Sequence, residues 1–378
     1  MSETKSYKLP GIDSLRLLAA LFIIPPHIEF LKLIYAGGSP GHFDMGAHYT
    51  LLGEWSVTFI FTLSGFLITY LLLLEKEQYQ RISLSHFFTR RALRLLPLYW
   101  FLVLLTLVVF PHIDFFRLEP WSSKAFANQK EQLVLYLLGL ANIAPLLYSY
   151  VPFLVHSWSI GSEEQFYMLW APLVKYSNSL VRIAFGVIVV YMLLHIGAHL
   201  MVRNYGGGWN NVEHFLQWLR ISSMGIGALF AWLHLKDHKW LDYFYHRGLQ
   251  LVVAVLSIGL IAGAVNFGML HTEIYSVLFG IIILNAATNP QALLKFNNRV
   301  TEYFGKMAYG VYMYHFVAIH ISYKITTALI NYESSSITGN LLLYGVSFAL
   351  SLAFSFVSYH LMEKHFLKLK KKFQRIRV

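Results

Sequence analysis

The sequence predicts an all-α fold, a polytopic transmembrane helical bundle of about ten spans with the N- and C-termini cytoplasmic. Three observations carry this. Of 378 residues, 56% are hydrophobic and 13% charged, whereas soluble chains carry roughly a quarter charged residues. Apolar runs able to cross a hydrocarbon core of about 30 Å, roughly 20 helical residues each, recur from Leu15 to Leu361. The Lys and Arg residues between them fall predominantly on one side.

The predicted spans are 15–35, 56–74, 93–110, 158–174, 181–202, 215–235, 249–266, 273–288, 307–330 and 341–361. With the N-terminus inside, 23 of the 30 Lys and Arg residues lie in cytoplasmic segments. They include Lys5, Lys8 and Arg16, the group from Lys76 to Arg94, the cluster Lys236, Lys239 and Arg247, and the tail from Lys364 to Arg377. Cationic segments resist translocation, so both ends are expected in the cytoplasm.

A single membrane-embedded domain, 1–378, follows, with 111–157 as an extracytoplasmic segment and 363–378 as a basic cytoplasmic tail suited to anionic lipid headgroups. Gln132 to Tyr150 is apolar, but Gly139, Asn142, Pro145 and the following Pro152 make it a poor membrane helix. Counting it as a span would put the 236–247 cluster outside, so it is read as a helix along the surface, part of a lid. The net charge of +11 is explained by loop topology and calls for no nucleic acid. The first apolar stretch is too long for a signal-peptide core and lacks a small-residue cleavage site. With no Cys, the chain has no disulfide, thiolate metal site or thiol nucleophile, and a bacterial cytoplasmic membrane suits it.

Ionisable groups inside spans are costly to keep in hydrocarbon and mark functional sites by default. His27 follows Pro25 and Pro26, which should kink or break the first helix. Arg16 lies eleven residues earlier, about 16 Å down the axis at 1.5 Å per residue. A lone intramembrane His serves equally well as an interhelical hydrogen bond or as a proton acceptor, so its company decides.

Ser64 and Gly65 form a small surface on the second span that lets another helix approach closely. Arg90, Arg91 and Arg94 enter the third. They serve as an orientation signal or, since Arg91 and Arg94 stand i, i+3, as a phosphate site. Trp158 to Tyr167 carries Glu163 and Glu164, placed either for a helix dipole or, at Glu163, to orient an imidazole or bind hydroxyls. Tyr309, Tyr312 and His315 share one helix face, and interfacial anchoring explains the first better than the last. His195 and His199 have metal-like spacing but no third ligand nearby, so no metal is expected.

In order along the chain, these segments resemble the acyltransferase-3 family of membrane acyltransferases. Gly11-Ile12-Asp13-Ser14-Leu15-Arg16 followed by His27 is similar to its Leu-Asp-Gly-Leu-Arg opening with a later His. Phe61 to Phe66 resembles its Ser-Gly-Phe segment, Arg91 to Arg94 its Arg-x-x-Arg, and Trp158 to Tyr167 its Trp-Ser-Leu-x-x-Glu-Glu-Gln-Phe-Tyr block. Gly305 to His315 and Ser358 to Lys364 complete the series. Ser14, Ile160 and Ala308 depart from the pattern without touching an ionisable position.

The resemblance implies an enzyme that moves an acyl group, most often acetyl, from cytoplasmic acyl-CoA to a hydroxyl of an extracytoplasmic glycan or polysaccharide. His27 would be the general base or a transient acyl carrier, and Glu163 would orient it or hold the sugar. Arg16, Arg90, Arg91 and Arg94 would meet the CoA phosphates. Asp13, Ser64, Trp158, Tyr309 and His315 would line the cavity, with Ser64 donating to the acyl carbonyl. The family often appends a hydrolase-like domain; this length leaves no room for one, so the membrane domain is expected to handle the acceptor. The rival reading is a secondary transporter or flippase with an intramembrane His, Arg and Glu pathway. No repeated pair of broken helices supports that reading.

Overall fold

The computed structural model describes residues 9–36, 47–296, 298–330, 332 and 336–376. Lys5, Lys8 and Arg377, three of the charges used to orient the chain, lie outside them. Among the described residues every regular element is helical. The first four helices are α1 (Ile12–Phe22), α2 (Ile24–Tyr35), α3 (Ala47–Tyr79) and α4 (Leu84–Leu104). Short helices α5 (Trp121–Phe126), α6 (Gln129–Leu137) and α7 (Ala144–Leu147) precede α8 (Trp158–Tyr176), α9 (Leu180–Tyr205), α10 (Asn210–Leu219) and α11 (Ile221–Leu235). Then come α12 (Leu241–Tyr245), α13 (Arg247–Ala262), α14 (His271–Thr288), α15 (Arg299–Gly305), α16 (Ala308–Ile330), α17 (Ile337–Ser358) and α18 (Lys364–Lys370).

Every predicted span falls on a helix. Among the described residues six helical stretches are long and apolar enough to cross a membrane: Ile12–Tyr35, His48–Tyr79, Leu84–His112, Leu180–Tyr205, Gly268–Thr288 and Ile337–Phe373. The outward faces are apolar, as on α9 with Val190 and Leu193 and on α13 with Val252 and Ile258, all exposed. A bilayer, not water, is the solvent such faces require. The protein is a multi-pass membrane protein.

Two predicted spans are not single helices. Pro25 and Pro26 stand in the first turn of α2, and the chain bends at Ile23 between α1 and α2. The 215–235 segment divides at Arg220, whose φ is 41°. Its buried guanidinium holds the bend by donating from Nη1 to the Glu54 carbonyl at 3.1 Å and to Thr58 Oγ1 at 3.0 Å.

Gln132–Tyr150 is not one surface helix either: Gly139, with φ of 77°, ends α6, and α7 is a separate single turn. Neither piece is long enough to span a bilayer. The segment is anchored on α4 and α8, where Tyr99 Oη donates to the Tyr136 carbonyl at 2.8 Å. Asn142 and Gln165 exchange amide hydrogen bonds at 3.0 and 2.9 Å.

The centre is α3, which α11 crosses at backbone contact. A Cβ on Gly65 would stand 1.9 Å from the Met224 carbonyl oxygen, and one on Gly227 would stand 2.0 Å from that of Thr62. The lack of a side chain at Gly65 therefore permits the close approach its size suggested. At the end of the bundle that carries most of the arginines, Lys76 Nζ donates to the Val174 and Ser177 carbonyls at 2.9 and 2.6 Å. This caps the C-terminus of α8 with a cation, as the helix dipole favours.

Candidate active site

Helices α1, α3, α4, α8 and α16 surround two adjoining cavities. The deeper, of about 810 Å³, is lined by Arg16, Ser64, Arg91, Arg94, Glu163 and Tyr309, and its far wall is Ser159 and Tyr312. The outer, of about 1090 Å³, is lined by Asp13, Arg16, Glu75, Arg90, Arg91, Arg94 and Lys370. Arg16, Leu67, Arg91 and Arg94 face both, so one path runs inward from the basic end.

The charges along it are unequal in their engagements. Arg16 Nη1 meets Asp13 Oδ1 at 2.9 Å. Arg90 Nη2 meets the buried Glu75 at 3.0 Å, and its Nη1 donates to the Phe373 carbonyl at 2.8 Å. Arg91 lies 5.6 Å from the Tyr167 ring and 5.7 Å from that of Phe87, and its buried Nε has no hydrogen-bond partner among the described residues. Among the described residues neither Arg91 nor Arg94 has an ion pair. Arg90 is thus a structural pair, while Arg91 and Arg94 leave cationic charge facing the cavity.

Glu163 lies in the wall of the deeper cavity and accepts from both Ser64 Oγ and Tyr167 Oη. Since α8 begins at Trp158, Glu163 is past the first turn and is not held there by the dipole of the helix end. No hydrogen bond joins it to His27 among the described residues, and the Ser64 hydroxyl hydrogen is directed to Glu163. Tyr309 Oη donates to the Leu95 carbonyl at 2.9 Å. Trp158 stands outside the cavity, stacked on Trp218 at 5.8 Å with the Arg220 guanidinium 5.6 Å from its ring.

Behind the far wall lies a histidine pair. His315 Nδ1 is 2.5 Å from the Tyr312 carbonyl, and its Nε2 is 2.8 Å from His27 Nδ1. A carbonyl only accepts, so His315 Nδ1 carries the hydrogen and, in the neutral ring, Nε2 accepts. His27 Nδ1–H must then donate to it. The remaining His27 nitrogen, Nε2, keeps its lone pair. The bend at Ile23 and the stacking of His27 on Phe316, at 4.5 Å between ring centroids, aim that ring.

A third imidazole was not read from the sequence. His156 is buried with its ring 4.6 Å from that of His315 and 5.3 Å from Phe316, and among the described residues neither of its nitrogens has a hydrogen-bond partner within ordinary geometry. Its carbonyl accepts from Tyr312 Oη at 2.8 Å, and Tyr312 Oη also meets Ser159 Oγ at 2.6 Å. His156 stands two residues before Trp158, outside any span, where intramembrane placement gave no signal. Elsewhere His199 meets Glu213 at 2.8 Å across α9 and α10. Among the described residues no three metal-ligating side chains gather.

This architecture agrees with what comparison with known proteins finds. The chain is 24% identical over 415 residues to the peptidoglycan O-acetyltransferase OatA of Listeria monocytogenes, covering 99% of this chain and 59% of that one. It is 26% identical over 341 residues to the O-acetyltransferase OatA of Staphylococcus aureus strain NCTC 8325, covering 82% and 50%. It is 24% identical over 399 residues to a provisional O-acetyltransferase of Staphylococcus aureus strain COL, covering 97% and 60%. The chain thus spans about 60% or less of the length of these relatives. No solved structure matches it. The model of the acyltransferase domain matches residues 9–360, nearly the whole chain, and the chain belongs to the acyltransferase-3 family.

Proposed function

We propose that the protein is an O-acyltransferase of the bacterial cytoplasmic membrane that transfers acetyl from acetyl-CoA to a hydroxyl of an extracytoplasmic carbohydrate. In this reading the chain spans the membrane about ten times with both ends and the arginine-lined cavity on the cytoplasmic side. The observation that carries it is the continuous path from Arg91 and Arg94 to the wall that fixes His315. Unpaired guanidinium groups at its entrance suit phosphates, which accept charge-assisted hydrogen bonds. The apolar lining beyond them, with Ile60, Leu63 and Leu67, suits an extended thioester arm.

The chemistry follows from the lone pair on His27 Nε2. His27 removes the proton of the acceptor hydroxyl as its oxygen adds to the thioester carbonyl. The C–S bond then breaks, the acyl group stays on the sugar oxygen as an ester, and the departing sulfur takes the proton from His27. His315 is a positioning residue, since its accepting Nε2 holds the His27 ring in the tautomer that leaves Nε2 basic. Glu163 acts at the arm, fixing Ser64 and Tyr167. Acceptors related to peptidoglycan are the first to test, given the name of the Listeria relative.

Purified full-length protein in liposomes, given acetyl-CoA and muropeptide or polysaccharide fragments, should release free CoA only when an acceptor is present. Absence of both acetyl-CoA binding and CoA release with any carbohydrate would contradict the reading.

A further inference from the structure

The segment after α17 was read from its charge as a tail for anionic lipids. Its fold is more specific. A π-helical turn, Tyr359–Glu363, joins α17 to α18, and α18 packs along α4. Beyond it the chain stays attached to the same end of the bundle. Phe373 receives the Arg90 hydrogen bond and sets its ring on His86, 5.8 Å between centroids. Arg375 lies over the Tyr79 ring at 5.6 Å and meets Glu75 at 3.7 Å, while Ile376 is buried.

This packing sorts the basic residues. Lys364, Lys368, Lys371 and Lys372 are exposed. Lys370 is half-buried and turned inward, lining the outer cavity with Arg16, Arg90, Arg91 and Arg94. The carboxylates facing that cavity are already matched, Asp13 by Arg16 and Glu75 by Arg90 and Arg375. Arg91, Arg94 and Lys370 remain without an ion pair among the described residues. Burial and the neighbouring Arg94 and Arg91 lower the Lys370 pKa to about 6, and a polyanion bound in the cavity would offset that repulsion and favour its ammonium form.

We propose that Lys370, carried into the arginine cluster by the folded-back C-terminal segment, binds a phosphate of the acyl-CoA donor. The tail is therefore a wall of the donor site, and the lipid-facing charge belongs to its other lysines. This rests on the donor reading above. An ammonium on a flexible stem can follow a phosphate whose position shifts as the donor enters, whereas the guanidinium groups on α4 present a fixed fork.

The test is acetyl-CoA binding and kinetics of the full-length protein in nanodiscs of zwitterionic lipid. Lys370→Gln should raise the Kd and KM for acetyl-CoA about tenfold, the effect of losing one charge-assisted hydrogen bond, with kcat nearly unchanged. Lys370→Arg should restore most of the affinity. The double variant Lys371→Gln with Lys372→Gln should match wild type. Equal thermal unfolding of all variants excludes misfolding as the cause. Wild-type affinity in Lys370→Gln, or an equal loss in the 371/372 variant, would overturn the assignment while leaving the donor reading intact. Absence of acetyl-CoA binding by the wild type would overturn both.

Discussion

His27 Nδ1 lies 2.8 Å from His315 Nε2, and the Tyr312 carbonyl at the other His315 nitrogen sets the direction of that hydrogen bond. His315→Ala should therefore lower kcat about a hundredfold, within the range attributed to positioned proton transfer, while leaving the KM for acetyl-CoA unchanged. A matched fall in acetyl-CoA affinity would instead make His315 part of the donor site. Steady-state kinetics at saturating acceptor separates the two.

Glu163 accepts from Ser64 and Tyr167 at once. Glu163→Gln should keep the fold and lower kcat/KM by roughly tenfold or more, because both donors meet Oε1 and a neutral amide oxygen accepts from them without the charge assistance of a carboxylate. Ser64→Ala in the Glu163→Gln background should add less than it does alone, since both changes act on the same contact. Additive losses in the double-mutant cycle would show that Ser64 acts independently of Glu163.

Neighbouring arginines should respond differently. Arg90→Ala leaves the buried Glu75 short of a partner and releases Phe373, so it should destabilise the protein by about 3 kcal/mol or more. Arg91→Ala, which breaks no ion pair among the described residues, should leave the unfolding midpoint near wild type and raise the KM for acetyl-CoA. Thermal unfolding in detergent and donor titrations check the pair.

The crossing of α3 and α11 leaves no room for a methyl group at Gly65. Gly65→Ala should lower the unfolding midpoint by several degrees, because the obstruction is the Met224 backbone and not a side chain that can swing away. Gly186→Ala is the control, as nothing lies within 4 Å of a Cβ there. Equal midpoints for the two variants would show that α3 and α11 are packed differently.

The membrane character was legible because an apolar run of sufficient length has one physical solution in lipid, and the bend before His27 because two prolines cannot continue a helix undisturbed. Arg16, Ser64, Arg91, Arg94, Glu163, Tyr309 and His315 were singled out as polar groups in or beside apolar segments, and they do gather along one path or at its end. What stayed hidden was set by tertiary packing. The partner of Glu163 depends on how α8 sits against α3, which no spacing reveals. His156 reaches the histidine pair from a short 3-10 turn, and Lys370 is indistinguishable in sequence from the exposed lysines around it. Arg220, between two segments that read as one span, turns the chain by taking a left-handed conformation. Trp158, read as a cavity residue, is drawn aside by Trp218 and Arg220.

In the proposed reaction His27 Nε2 takes the acceptor proton at the end of the donor path. The most direct measurement is transfer of radiolabelled acetyl from acetyl-CoA to carbohydrate by His27→Ala in proteoliposomes, with acetyl-CoA affinity measured on the same preparation. Donor binding should be undiminished and transfer reduced at least a hundredfold. Transfer at the wild-type rate by a variant lacking the imidazole would contradict it.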